Sequence, residues 1–366
     1  MSYEQNIKFT PEPAEENIFG VQLTPEEMSR ELEKYHQWYE KENRKLERMA
    51  VPLNEKQQKV VGFIDEEFKK LFKRFNIENF DSGQIKIYPL KFQDFINFMK
   101  EDEAGAKFML GGYDVLRKCV AINQTKDFVS DKSLIVWTEN LAHELIHGKS
   151  YQVMQISKDN PSSKRSVKSI DIYRFGPQIY ELGASTDYFG WLNEALATKL
   201  SVEMTEAIVN ENKDLYIQSM SPKEKNKDHY QLPEKFVFYK PFRSVLAKMV
   251  EGIARKNKLS KEEVFQKLYH SFFTGRLLEV ARLIEHTYGV GSFRALGNVK
   301  EENHQMALKY LESKDPQSQD KYAHKIMPDE TEGRGRSAKQ IPSREYQEYK
   351  KYQKLMAEIK EIREMK

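Results

Sequence analysis

The stretch TENLAHELIHGKSYQVM, residues 138–154, holds two histidines four apart, His143 and His147, with Glu144 directly after the first. On an α-helix, residues i and i+4 stand one turn apart on the same face, so both imidazoles can offer a nitrogen to one ion. Glu144 then points about 100° round the helix from His143, within reach of a water on that ion without being a ligand itself. That is the position of a general base in metal-assisted hydrolysis. An ordinary buried helix could carry the same residues against other polar partners. Here apolar residues flank the motif in LIVWTENLAHELIHG, so the helix is expected to be buried, and two histidines with a glutamate in that setting need strong partners. A Zn2+ ion supplies one.

Such an ion needs at least one further protein ligand. Proteins of metzincin type continue with glycine three and histidine six positions after the second histidine; Ser150 and Val153 stand there, which excludes that class. Downstream, STDYFGWLNEALATKL places Asn193 and Glu194 at the opening of an amphipathic helix with Leu196 and Leu200 on its apolar side, and Glu194 is the leading third ligand. The HELIH and NEALAT segments together resemble the gluzincins, thermolysin-like metallopeptidases in which a glutamate on a second helix completes a His, His, Glu zinc site. The likeness extends roughly over residues 80 to 300 in organisation and matches specific residues only in those two segments.

Two departures from that pattern stand out. His147 and Glu194 are 47 positions apart, which calls for an inserted segment between the two helices. One turn after the glutamate, where relatives tend to place an aspartate that holds the first histidine, this chain has Thr198, whose hydroxyl could accept that N–H without adding charge. A rival third ligand lies in LGASTDYF: Gly183 and Asp187 have the spacing of the Gly-Thr-x-x-Asp element of aspzincins, with Ala184 in place of the threonine. Glu181 is a further candidate.

The resemblance implies a catalytic zinc on His143, His147 and Glu194 with a fourth position open to water, Glu144 as the base that passes the proton to the leaving amine, and peptide-bond hydrolysis as the outcome. It also implies a Tyr or His that stabilises the oxyanion. Tyr239, at the start of a helix with Arg243 one turn on, is preferred, followed by Tyr230 and His229. An edge strand above the cleft would bind the substrate backbone, and GGYDVLRKCVAINQ, with glycines that permit close approach, is its expected counterpart. His270 and His286 are read as packing histidines.

The elements that must position these groups follow from pattern. TPEEMSRELEKYHQWYEKENRKLERMA opens with a capping box at Thr24 and Glu27 and Pro25 in the first turn, and its apolar residues recur at helical intervals. NEKQQKVVGFIDEEFKKLFKRF is a second helix. SGQIKIYPL, FMLGGYDVLRKCVAINQ and SLIVW are expected strands of one sheet that precedes the HELIH helix, while residues 189–209, 240–257, 260–273 and 276–288 read as helices. The order gives an α+β fold with a small sheet-bearing upper subdomain and a helical lower one, and the resemblance implies that residues 56–312 form a zincin-like catalytic domain. It is flanked by an N-terminal arm and amphipathic helix over 1–55, with residues 1–22 loosely held. A linker and an amphipathic C-terminal helix occupy 313–366 and are expected to be dispensable for chemistry.

Composition narrows the partners. The 366 residues include 39% hydrophobic and 12% aromatic side chains, enough for a real core, and 59 basic against 56 acidic residues leave a net charge of +3. No overall field drives binding to nucleic acid or a membrane surface. The start of the chain lacks the pattern of an export signal, no apolar run is long enough to span a bilayer, and the single Cys119 fits a reducing compartment, so a cytoplasmic protein is expected. The substrate would be a peptide or protein, with a protein partner on the terminal helices as a further possibility. Two other functions remain open: a catalytically retired zincin-like scaffold that works by partner binding, and a hydrolase of non-peptide amides or esters.

Overall fold

A computed structural model of the chain describes residues 18–21, 23–77, 85–99, 110–124, 133–157, 170–180, 187–225, 227, 229–234, 237–327, 330–332, 339–341, 346–347, 349–351 and 353–354. The fold is α+β and mostly helical, and it divides into two compact units.

The first unit runs to Gly176 and takes in residues 197–238. It opens with β1 (Ile18–Val21) and α1 (Pro25–Met49), whose capping box forms as expected: Thr24 Oγ1 accepts from the Glu27 N–H at 3.2 Å while Glu27 Oε2 accepts from the Thr24 N–H at 2.9 Å. A second capping box, Asn54 with Gln57, starts α2 (Glu55–Arg74). Then come β2 (Lys86–Leu90), α3 (Phe92–Met99), β3 (Gly111–Asp114), β4 (Cys119–Asn123), α4 (Leu134–Lys149), β5 (Gln152–Ser157) and β6 (Ile170–Phe175). The sheet β2-β4-β3 pairs β2 parallel and β3 antiparallel to β4. Leu46, Tyr88, Leu90, Phe95, Phe98, Cys119 and Ala121 pack into a core that joins α1, α3 and this sheet. A second set of strands pairs β1 parallel and β6 antiparallel to β5.

The turn between β3 and β4 is clamped to α1. Tyr35 Oη donates to the Leu116 carbonyl at 2.8 Å, and Arg117 bridges Glu42 at 2.9 Å and Asp114 at 2.6 Å beneath the Trp38 ring. The amphipathic face of α1 is thus used inside the chain.

The second unit contains residues 177–180, 186–196 and the chain from Tyr239 onward. It holds the paired strands β7 (Gln178–Tyr180) and β8 (Asp187–Tyr188) and the first residues of α5 (Gly190–Glu211), whose remainder belongs to the first unit. The helices α6 (Lys240–Asn257), α7 (Lys261–Thr274), α8 (Leu277–Tyr288), α9 (Ser292–Gly297), α10 (His304–Glu312) and α11 (Pro316–Ile326) follow, and then β9 (Glu330–Glu332) paired with β10 (Lys339–Ile341).

Four expectations change. SLIVW is not a strand but the first turns of α4: an apolar run of that length has no period to separate a strand from a helix buried on every side. The strands do not all precede the HELIH helix, since β5 and β6 follow it. Within the supposed loose arm, Ile18–Val21 pairs with β5; the rest of that arm lies outside the described residues, as does most of the loop 157–169. The supposed linker contains α11, capped by Asp315, with Ala323, Ile326 and Met327 buried. Beyond it Tyr349 is 1% exposed, Tyr346 Oη donates to Asp320 at 3.1 Å, and Gln353 donates to the Val290 carbonyl at 3.3 Å. This part of the tail therefore belongs to the packed structure of the second unit, and residues 355–366 lie outside the described ones.

Candidate metal centre

The HELIH motif sits in the second half of α4. Leu134, Ile135, Trp137, Leu141, Ala142, Leu145 and Ile146 are all buried, so the helix is fixed by packing along its length. Its last turn is closed by Ser150, whose N–H and Oγ both donate to the His147 carbonyl at 3.0 and 2.7 Å, while Gln152 donates to the Gly148 carbonyl at 3.0 Å. The backbone under His147 is thereby held without strain.

His143 and His147 are buried, and their Nε2 atoms face each other at 3.1 Å with the rings at 78°. His147 also lies against the Phe175 ring, 5.2 Å between centroids. Glu194 joins them from the first turns of α5: one ligand atom from each of the three residues lies within 4.8 Å of the others. Two nitrogens bound to one tetrahedral zinc at about 2.0–2.1 Å would be about 3.3–3.4 Å apart, close to the separation found. Two nitrogens and a carboxylate suit zinc by donor type as well. Among the described residues this is the one such group of His, Cys, Asp and Glu side chains.

The segment before α5 explains why Glu194 rather than Asp187 joins the histidines. Asp187 Oδ1 accepts from Lys300 Nζ at 2.5 Å and Oδ2 from Gln178 Nε2 at 2.7 Å, so both of its oxygens are engaged elsewhere. Oδ2 lies so close over Gly190 that a Cβ there would come within 2.3 Å of it. Phe189 takes a left-handed conformation, φ +62°, with its N–H bonded to the Gly297 carbonyl, and Trp191 Nε1 donates to the Leu296 carbonyl at 2.6 Å. These contacts fix the opening of α5. Glu181 lies outside the described residues.

Glu144 is partly buried, and its Oε2 accepts a hydrogen bond from the main-chain N–H of Tyr113 on β3 at 2.8 Å. The register explains why that donor is available. Leu110 accepts from the Asn123 N–H at 2.9 Å, so in this antiparallel pair the N–H and C=O groups of Leu110, Gly112 and Asp114 turn toward β4. Those of Gly111 and Tyr113 turn outward, to the edge of the β2-β4-β3 sheet.

The structure places the remaining candidates as follows. Tyr239 is the residue before α6, in a left-handed conformation with φ +55°; it is 42% exposed, and its ring stacks on Phe242. Tyr230 is buried, its hydroxyl pushed up by that burial, and its backbone is held in two hydrogen bonds by Asn210. His229 is exposed. His270 is partly buried, its main-chain carbonyl accepting from the Thr274 hydroxyl at 2.6 Å, and His286 is exposed rather than packed, its Nδ1 2.9 Å from Asn257 Oδ1. Thr198 is buried, but its hydroxyl accepts no histidine N–H and has no hydrogen-bond partner among the described residues. The expected role of that hydroxyl is therefore not seen.

A residue that sequence reasoning passed over stands one turn before His143. Glu139 is 2% exposed and accepts from Ser201 Oγ on α5 at 2.8 Å. Burial raises its carboxyl above the usual carboxylate range, His143 and the Ser201 hydroxyl pull it down, and Glu144 adds to the rise. The signal was there: an acidic residue inside an apolar run, four positions before a histidine. No protein-family model, curated protein or solved structure matches the chain.

Proposed function

We propose that the chain is a zinc metallopeptidase of gluzincin type, built on a zincin-like fold. The observation that carries this reading is the convergence of His143, His147 and Glu194 within 4.8 Å, beside a carboxylate, Glu144, that is not part of that group. Bound zinc would polarise a scissile carbonyl and lower the pKa of a water molecule. Glu144 would act as the base that takes a proton from water and delivers it to the leaving amine. The Tyr113 N–H, bonded to Glu144 Oε2 at 2.8 Å, orients the carboxylate. The outward edge of β3 receives an extended substrate as an added strand. Tyr239 is the proposed oxyanion donor, and the cytoplasm, consistent with one buried cysteine, is the proposed compartment. No described helix is long and apolar enough to cross a membrane.

A retired scaffold acting through its terminal helices has less support. The apolar residues Tyr35 and Leu46 of α1 and Tyr349 near the C-terminus are buried within the chain, which leaves them unavailable to a partner. Cleavage of a peptide library by the zinc-loaded protein, with Glu144→Gln as control, tests the reading. Cleavage that survives in Glu144→Gln, or its absence in the wild type, would overturn it.

A further inference from the structure

The helix α4 and the strand β3 advance side by side. Glu144 meets the outward N–H of Tyr113. Four residues earlier on the helix, Asn140 lies beside Gly111, two residues earlier on the strand: a Cβ at position 111 would come within 2.9 Å of Asn140 Nδ2. One helical step of four residues covers about 6 Å and two strand residues about 6.6 Å, so the two pairs repeat one arrangement. They differ in one respect. The Glu144 side chain is hydrogen-bonded, whereas the side chain of Asn140, partly buried, makes no hydrogen bond among the described residues. Asparagine is a poor helix former, and the carboxamide bonds to no other side chain among the described residues. Gly111 leaves the room: any side chain at 111 would also meet Ile122 Cδ1, at 2.8 Å.

An unengaged carboxamide beside an outward-facing peptide group presents donors and acceptors of the kind that another peptide group matches. Resting on the peptidase reading above, we propose that Asn140 is a substrate-contacting residue that hydrogen-bonds a main-chain peptide group of an extended polypeptide lying along Gly111. That group is one strand step, about 6.6 Å, from the peptide bond that Glu144 serves. The site therefore recognises polypeptide, and small amides or esters that end at the scissile group do not reach Asn140.

The test uses the full-length, zinc-loaded protein and a peptide that it cleaves. Asn140→Ala should lower kcat/KM about fivefold to tenfold, the loss of one hydrogen bond, with zinc content and Tm unchanged. Asn140→Leu, which keeps the branched shape of the side chain without its polar atoms, should behave alike. In a Glu144→Gln background, the Kd of the same fluorescently labelled peptide should weaken by the same factor. Methylating the backbone nitrogens of the peptide one at a time then locates the contact: one position should cost the wild type several-fold and cost Asn140→Ala nothing. Equal kcat/KM and Kd in the wild type and both variants, or equal methylation profiles, would overturn the inference while leaving the peptidase reading intact. A wild-type protein that neither cleaves nor binds any peptide would remove both.

Discussion

The carboxylate of Glu144 is tied to the main chain of Tyr113 by a 2.8 Å hydrogen bond that links the HELIH helix to the outer strand of the β2-β4-β3 sheet. The bond joins residues 31 positions apart and points the side chain along the sheet edge, where an added strand would lie. A glutamine at 144 keeps an acceptor for the same N–H. Glu144→Gln should therefore fold and bind zinc like the wild type while losing hydrolysis by several orders of magnitude, measured as single-turnover rate against metal content.

Arg117 secures the other end of the β3-β4 hairpin. Its guanidinium is shielded, paired with Glu42 and Asp114, and lies 5.3 and 5.4 Å from the Trp38 and Phe98 ring centroids. Removing it leaves two carboxylates without their cation. Arg117→Ala should cost about 3 kcal/mol in denaturant unfolding, and a loss under about 0.5 kcal/mol would mean that the clamp contributes little.

The tail gives a prediction opposite to the one that composition invites. Tyr349 is buried against Gly291, where φ is +87° and a Cβ would come within 2.6 Å of the ring. Tyr349→Ala should cost about 3 kcal/mol, and a chain ending at Lys314 should unfold at markedly lower denaturant concentration than the full chain. Unchanged midpoints in both would return the tail to the status of a linker.

Much of this architecture was legible because it depends on local repeats. Thr24 with Glu27 reads as a helix start since the box closes within one turn, and His143 with His147 reads as a pair since four residues are one helical step. What escaped depends on partners distant in sequence. Glu139 looks like any acidic residue until Ser201, 62 positions on, is placed beside it, and Asn140 means little without Gly111. SLIVW misled because a helix buried on all sides has no polar face to set a period. The stretch 316–326 misled because a mostly polar helix needs only Ala323 and Ile326 turned inward to dock.

Bound zinc after identical dialysis against a mild chelator, in the wild type, Asp187→Ala and Glu194→Ala, tests the central claim most directly. Asp187 is committed to Lys300 and Gln178, so Asp187→Ala should keep the metal and lose about 1 kcal/mol of stability, the scale of a partly buried ion pair. The account predicts about one zinc per chain in the wild type and in Asp187→Ala, and almost none in Glu194→Ala. A wild type without zinc, or a site emptied by Asp187→Ala and retained by Glu194→Ala, would contradict it.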